Sequence, residues 1–242
     1  MAKVLFYRIT HDDGFAPNPY GKYLTLATCT PNHMRANLQK DDWIIGIESK
    51  SLARKRRKAG IHPEVKQSLI YIAKITETPI TLNEYFRDER FSYKKPKPDS
   101  EIYEERRGDN VYYIEDGLWK WIKNHDHKKF NKLIKDIPDE ELFFPVEKLQ
   151  ELWQDKKSRK KYGAILQDIR GNRVFISEEF LYFGDMCLEC NEKLSPFIPQ
   201  RGIKYCGFKQ IKDYINELIK KYGFGRHGNP ILFTIKKLGS KL

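Results

Sequence analysis

Residues 12–35 read DDGFAPNPYGKYLTLATCTPNHMR, and DWIIGI follows at 42–47. Turn-forming clusters lie at Asp13-Gly14 and at residues 17–21, a short apolar run follows at 23–27, and Thr30-Pro31 comes next. Glycine, proline, asparagine and aspartate each favour turn backbone, so the chain is expected to reverse sharply on both sides of a strand at 23–27. Such a reversal would present Asp13, Asn18, Tyr20, Thr28, Thr30 and Arg35 around one small area. That is how a recognition pocket is built from turns and strand ends.

Outward from this stretch, residues 3–9 (KVLFYRI) form an opening strand, and Thr30 with Pro31 opens a short helix running to about residue 39. Residues 43–47 (WIIGI) are apolar enough for a strand buried on both faces. Residues 50–58 hold six cations and no acid, which predicts an exposed loop or helix. A fourth strand is expected at 69–75, and Thr81 with Glu84 forms a capping box for a helix at 84–87. This mixture argues for an α+β domain with a closed or nearly closed sheet. Residues 93–110 are expected as a surface connection, because Pro96 and Pro98 discourage helix and central strand alike.

The second half reads as more helical. A turn at 108–110 is expected to lead into residues 111–114, followed by two helical pieces at 117–135, a helix at 146–153 and a hairpin joining 164–167 to 173–176. Residues 208–222 carry the clearest apolar stripe, with Gly223 as the stop, and a final strand is expected at 231–235. The expected division is a core at 1–98 and a helical and hairpin extension at 99–242, packed on it as one unit.

Lysine and arginine outnumber aspartate and glutamate by 45 to 33 over 242 residues, a net charge of +12. Such a balance favours an anionic partner, nucleic acid or nucleotide. No apolar run approaches the roughly 18 residues of a membrane helix, and MAKV begins no signal peptide, so a cytoplasmic protein is expected. Four cysteines make no disulfide framework. Cys187, Cys190 and Cys206 match zinc-ligand spacing poorly, and the His125 and His127 pair reads as a polar helix joint, so no metal is expected. Cys29 and His33 lack a third group to orient the imidazole. Neither a Walker loop nor G-x-G-x-x-G occurs, and no cofactor is expected.

Aromatic and amide groups near the opening stretch suit a base: Tyr20 and Trp43 to stack, Asn18, Thr28 and Arg35 to line the pocket. Lys94, Lys95 and Arg226 are the candidate phosphate ligands. If the protein is an enzyme acting on a nucleotide, Asp13, Asp42 and Asp109 are the candidate general bases. A third reading is a protein-binding module of a defence or counter-defence complex, using the same basic surface.

Residues 13–18, 24–31 with Arg35, and 42–46 together resemble the signature of the bacterial and phage family called nucleotide modification associated domain 2. Shorter pieces at 91–96, 108–112, 174–177 and 180–184 agree in the same order, so the resemblance spans about residues 3–230. Members of that family often carry lysine where Thr30 stands. The first hundred residues are similar, more distantly, to PUA-like barrels of the EVE and ASCH types, which grip a base between strand ends and a helix. These resemblances imply a PUA-like mixed barrel with helical additions, linked to modified DNA bases or to phage and antiphage biology.

Overall fold

The computed structural model describes residues 2–28, 36–122 and 143–239. In chain order the described elements begin with β1 (Lys3–Ile9), β2 (Leu24–Leu26), β3 (Trp43–Glu48), α1 (Lys50–Lys58), β4 (Ser68–Lys74), α2 (Leu82–Arg87) and α3 (Tyr103–Arg106). Next come β5 (Tyr112–Glu115), β6 (Leu118–Trp121), β7 (Phe144–Pro145), α4 (Leu149–Gln154), α5 (Lys156–Gly171), β8 (Phe175–Ser177) and β9 (Phe180–Tyr182). The chain ends with β10 (Leu188–Glu189), β11 (Ile203–Gly207), α6 (Lys212–Tyr222), β12 (Gly225–Arg226) and α7 (Ile231–Lys237). The architecture is mixed α+β. Packing divides the described residues into two compact units, one drawn from Met1–Thr25, Ala36–Pro79 and Phe175–Leu242, the other from Leu26–Arg35 and Ile80–Val174.

The first unit is built on a sheet of order β11-β1-β3-β4-β9-β12, with β10 beside one end of β4. β1 and β3 run parallel, Val4 opposite Trp43 and Phe6 opposite Ile45, whereas β4 is antiparallel to β3. Period-2 alternation sends Val4, Phe6, Trp43, Ile45, Ile72 and Leu181 to one face, where Tyr214, Ile215 and Leu218 of α6 complete the core. On the opposite parity Tyr7 and Tyr71 meet hydroxyl to hydroxyl at 2.9 Å, fully buried. Gly46 lies between them in register, and any Cβ there would overlap the Tyr71 ring and the Ile9 side chain. The glycine of WIIGI is therefore the space the tyrosine ring fills.

The expected barrel does not form. The sheet is open, ending at β11 and β12, because β1 and β4 take their further neighbours from residues 180–207, and β2 pairs with β8 instead. Residues 50–58 are the helix α1, capped by Ser49, but Arg56 within the basic run is fully buried. Residues 231–235 are helical rather than extended. The run ILFTI has strand-like composition, but Asp12 accepts the Ile231 N–H at its carboxylate (2.9 Å) and the Leu232 N–H at its carbonyl (2.8 Å). A cap supplied from the far end of the chain outweighs local propensity.

The second unit holds the three-stranded sheet β5-β6-β7 with α2 to α5. Residues 118–121 are a strand, not a helix: Trp119 and Trp121 point inward, and Asp116 and Gly117, both at positive φ, make the hairpin turn to β5. The rest of the helical span expected at 117–135, like most of the helix expected at 30–39, lies outside the described residues. Residues 164–167 belong to α5, which Asp155 caps by accepting the Ser158 N–H at 2.6 Å. Asn172, at φ 37°, ends that helix in the left-handed conformation and starts no hairpin. The Thr81–Glu84 capping box is present and opens α2. Residues 93–110 are no simple surface connection, since Lys94, Arg107, Asp109 and Asn110 are buried.

Candidate functional site

In the first unit the opening loop is held by Asp12, a carboxylate that no sequence motif singles out. Asp12 is fully buried; besides capping α7, it accepts the Tyr182 hydroxyl at 2.6 Å. Desolvation dominates its environment and pushes the carboxyl up to about 7, against the opposing pull of the Ile231 N–H and the Tyr182 hydroxyl. Its neighbour Asp13 accepts the Phe15 N–H at 3.2 Å and shapes the turn before the cis Ala16–Pro17 peptide. Asn18 exchanges both backbone hydrogen bonds with Thr25 and accepts the Tyr20 N–H at its side chain.

Tyr20, in a polar stretch that favours an exposed ring, is instead buried at 6%. The exposed Arg226 guanidinium stands 5.2 Å from the centre of that ring. Two residues assigned separately to base stacking and to phosphate are thus in contact. Asp42 anchors the chain, its two oxygens accepting the Lys3 N–H at 2.7 Å and the Gln39 N–H at 3.0 Å. Trp43 is stacked on Phe208, ring centres 5.3 Å apart, within the core.

In the second unit, residues 91–96 and 108–112 come together. Asn110 donates its backbone N–H to the Lys94 carbonyl at 3.0 Å, and a Cβ on Gly108 would overlap that carbonyl. The Tyr85 hydroxyl donates to Asp109 at 2.8 Å. Lys94 is buried at 1%; desolvation pulls its ammonium down to about 8, and the Asp109 charge acts in the opposite direction. Asn110 donates its side-chain amide to the carbonyls of Tyr85 (3.1 Å) and Phe91 (3.2 Å), which fixes which way the amide faces. Its Oδ1 has no hydrogen-bond partner among the described residues, nor has the Thr28 hydroxyl. Lys95 caps a ring stack, its ammonium 4.1 Å from the Phe86 ring centre and Phe86 stacked on Tyr113.

Sequence order hid most of this. Asp12, Tyr182, Tyr85 and Asp109 look like ordinary residues until folding joins positions 24 to 170 apart, although the Asp12-Asp13 doublet is a visible signal. An open cleft of about 370 Å³ in the second unit, with Glu147, Gln150, Arg170 and Asn172 in its walls, holds none of the expected site residues. Arg35 lies outside the described residues, as do Cys29, His33, His125 and His127.

No group of three or more histidine, cysteine or acidic side chains is placed for a metal among the described residues. Burial pushes the thiols of Cys187 and Cys190 up to about 12, away from the thiolate form that metals bind. No described helix is long and apolar enough to cross a membrane.

Neither the comparison with curated proteins nor that with solved structures returns a match. The family model for nucleotide modification associated domain 2 matches residues 1–142, which takes in the opening loop, the Trp43 strand and the Lys94–Asn110 cluster. The similar pieces at 174–177 and 180–184 lie beyond the matched span. Over more than half its length, then, the chain carries this family's pattern, and it belongs to the nucleotide modification associated domain 2 family.

Proposed function

We propose that the protein binds a nucleobase, modified within DNA or carried on a nucleotide, in a DNA-modification setting. The Tyr20–Arg226 contact is the observation that carries this reading. A guanidinium held over a phenol ring offers a cationic surface on which a base can stack, while its N–H groups reach phosphate. Asn18 and Asp13 hold the loop that positions Tyr20. Trp43 in the first unit, Thr28, Lys94 and Lys95 in the second, and Arg35 each remain a separate proposal for a base or phosphate contact.

Fluorescence anisotropy with modified and unmodified oligonucleotides, and with the free nucleotides, tests the platform. Arg226→Ala is expected to weaken binding of the preferred base by about tenfold, the scale of one stacking interaction. Unchanged affinity in a variant with an unaltered melting temperature would remove Arg226 from the site.

A second reading, an enzyme acting on a nucleotide or nucleobase, is favoured by one observation. Lys94, with its proton affinity lowered to about 8, is buried beside Asp109, which takes a hydrogen bond from Tyr85. Such a group exchanges protons near neutral pH. Turnover on a nucleotide panel, followed by mass analysis and abolished by Asp109→Asn, would establish it.

A further inference from the structure

The basic run at 50–58 is sorted by the helix it forms. Leu52, Ala53 and Arg56 face inward. Lys50, Arg54, Arg57 and Lys58 fall at i, i+4, i+7 and i+8, which places them in one stripe on the outer side, about 12 Å long. Lys55 is exposed beside the stripe, and α1 carries no acidic residue.

Several other well-placed lysines of this protein are neutralised. Lys22 pairs with Glu178 at 2.6 Å, Lys97 with Glu105 at 2.8 Å, Lys120 with Glu115 at 2.7 Å and Lys193 with Glu217 at 2.9 Å. On α1, by contrast, none of the five exposed cations has an acidic partner among the described residues. The acids nearest in sequence are already engaged: Glu48 is buried against Arg56, and Glu64 is 3.1 Å from His62. The helix α7 packs against α1 and adds exposed Lys236 and Lys237, also without acidic partners among the described residues.

The platform is rigid. Arg56 donates all five of its N–H bonds inward: two to Glu48, and one each to the carbonyls of Ile61, His62 and Val65, at 2.6 to 3.0 Å. This fastens α1 to β3 and to the loop that follows the helix. Unneutralised cations on a fixed helix keep their charge available to a ligand, and the backbone that carries them loses little freedom on binding.

We infer that the outer face of α1, extended by the end of α7, is a docking rail for the phosphate backbone of double-stranded DNA. α1 contains no aromatic side chain on which an unpaired base could stack, the usual device of single-strand binders. Its contacts are point charges and guanidinium forks, which suit phosphate oxygens. This deepens the proposed nucleobase reading and rests on it for the choice of polyanion. Asp12 joins the two surfaces, since it ties the opening loop to the start of α7.

The test is anisotropy of the full chain on a short random-sequence DNA duplex over a series of salt concentrations. The fourfold variant Lys50→Ala, Arg54→Ala, Arg57→Ala, Lys58→Ala leaves Ser49 and Arg56 in place and inserts a good helix former, so circular dichroism and the melting temperature are expected to hold. Binding at low salt is expected to fall at least about tenfold, and the slope of log affinity against log salt is expected to shrink by about one for each phosphate that the variant leaves unneutralised. An unchanged slope and affinity overturns the rail, as does tighter binding to single strands or preferential binding to phosphatidylserine vesicles. Base discrimination is read separately through Arg226→Ala: if discrimination survives that change while the fourfold variant loses duplex affinity, the Tyr20–Arg226 reading fails and the rail stands.

Discussion

The two units bury charge in different ways. In the first, Arg56 and Glu48 are both fully inaccessible, every guanidinium N–H is used, and Glu48 also accepts the Ser68 N–H at 3.2 Å. In the second, Lys94, Asp109 and Asn110 are as deeply buried, but the Asn110 Oδ1 and the indole N–H of Trp119 find no partner among the described residues. A saturated network is architecture, because any removed member strands another. A buried polar atom without a protein partner takes its hydrogen bond from water or a bound group, or else costs stability. The first cluster closes on itself, whereas the second leaves polar atoms that protein groups do not satisfy.

The sharpest way to break that contrast is Arg56→Ala. It strands the Glu48 carboxylate in the interior and frees three carbonyls, so a loss of about 3–5 kcal/mol is expected from urea unfolding. Pairing Arg56→Met with Glu48→Gln is expected to recover most of the loss, since no buried charge then stands alone. A small effect of Arg56→Ala would show that the network is hydrated and not architectural.

Asp12 sharpens the comparison from the other side, being hydrogen-bonded to Tyr182 and Ile231 and still pushed up to about 7 from 3.8. The folded chain holds this proton more tightly than the unfolded chain. Its contribution to stability is therefore fully present below about pH 3.8 and is lost as pH rises through about 7. The total is on the order of 4 kcal/mol. Unfolding free energies measured across that interval should decline for the wild type and change less for Asp12→Asn; identical profiles would mean that Asp12 does not titrate there.

What could be read from the sequence follows from the range of the interactions. Local signals held: the Thr81–Glu84 box, the apolar stripe ending at Gly223, and the doubly buried Trp43 strand are each decided within a few residues. The failures had distant causes. α7 is helical because Asp12 caps it, and the sheet stays open because β9, β11 and β12 arrive from the other end of the chain. Tyr20, Arg226, Lys94 and Asp109 stand out in the sequence one by one, but nothing local indicates that Tyr20 meets Arg226 or that Asn110 closes over Lys94.

The smallest predicted effect bears most directly on the second cluster. Burial lowers Lys94 to about 8 while the Asp109 charge partly restores it, so Asp109→Asn is expected to move the titration lower still. The side-chain carbon resonances of labelled lysine would follow it, Lys94 separating from the surface lysines as the one titrating earliest. The depression also carries a linkage: holding the ammonium inside costs stability below about 8, and that cost is relieved as pH rises toward 10.5. If Lys94 titrates with the surface lysines and ignores Asp109→Asn, water reaches it freely. The second cluster would then be a solvated ion pair, and its leftover carbonyl oxygen on Asn110 would need no ligand to account for it.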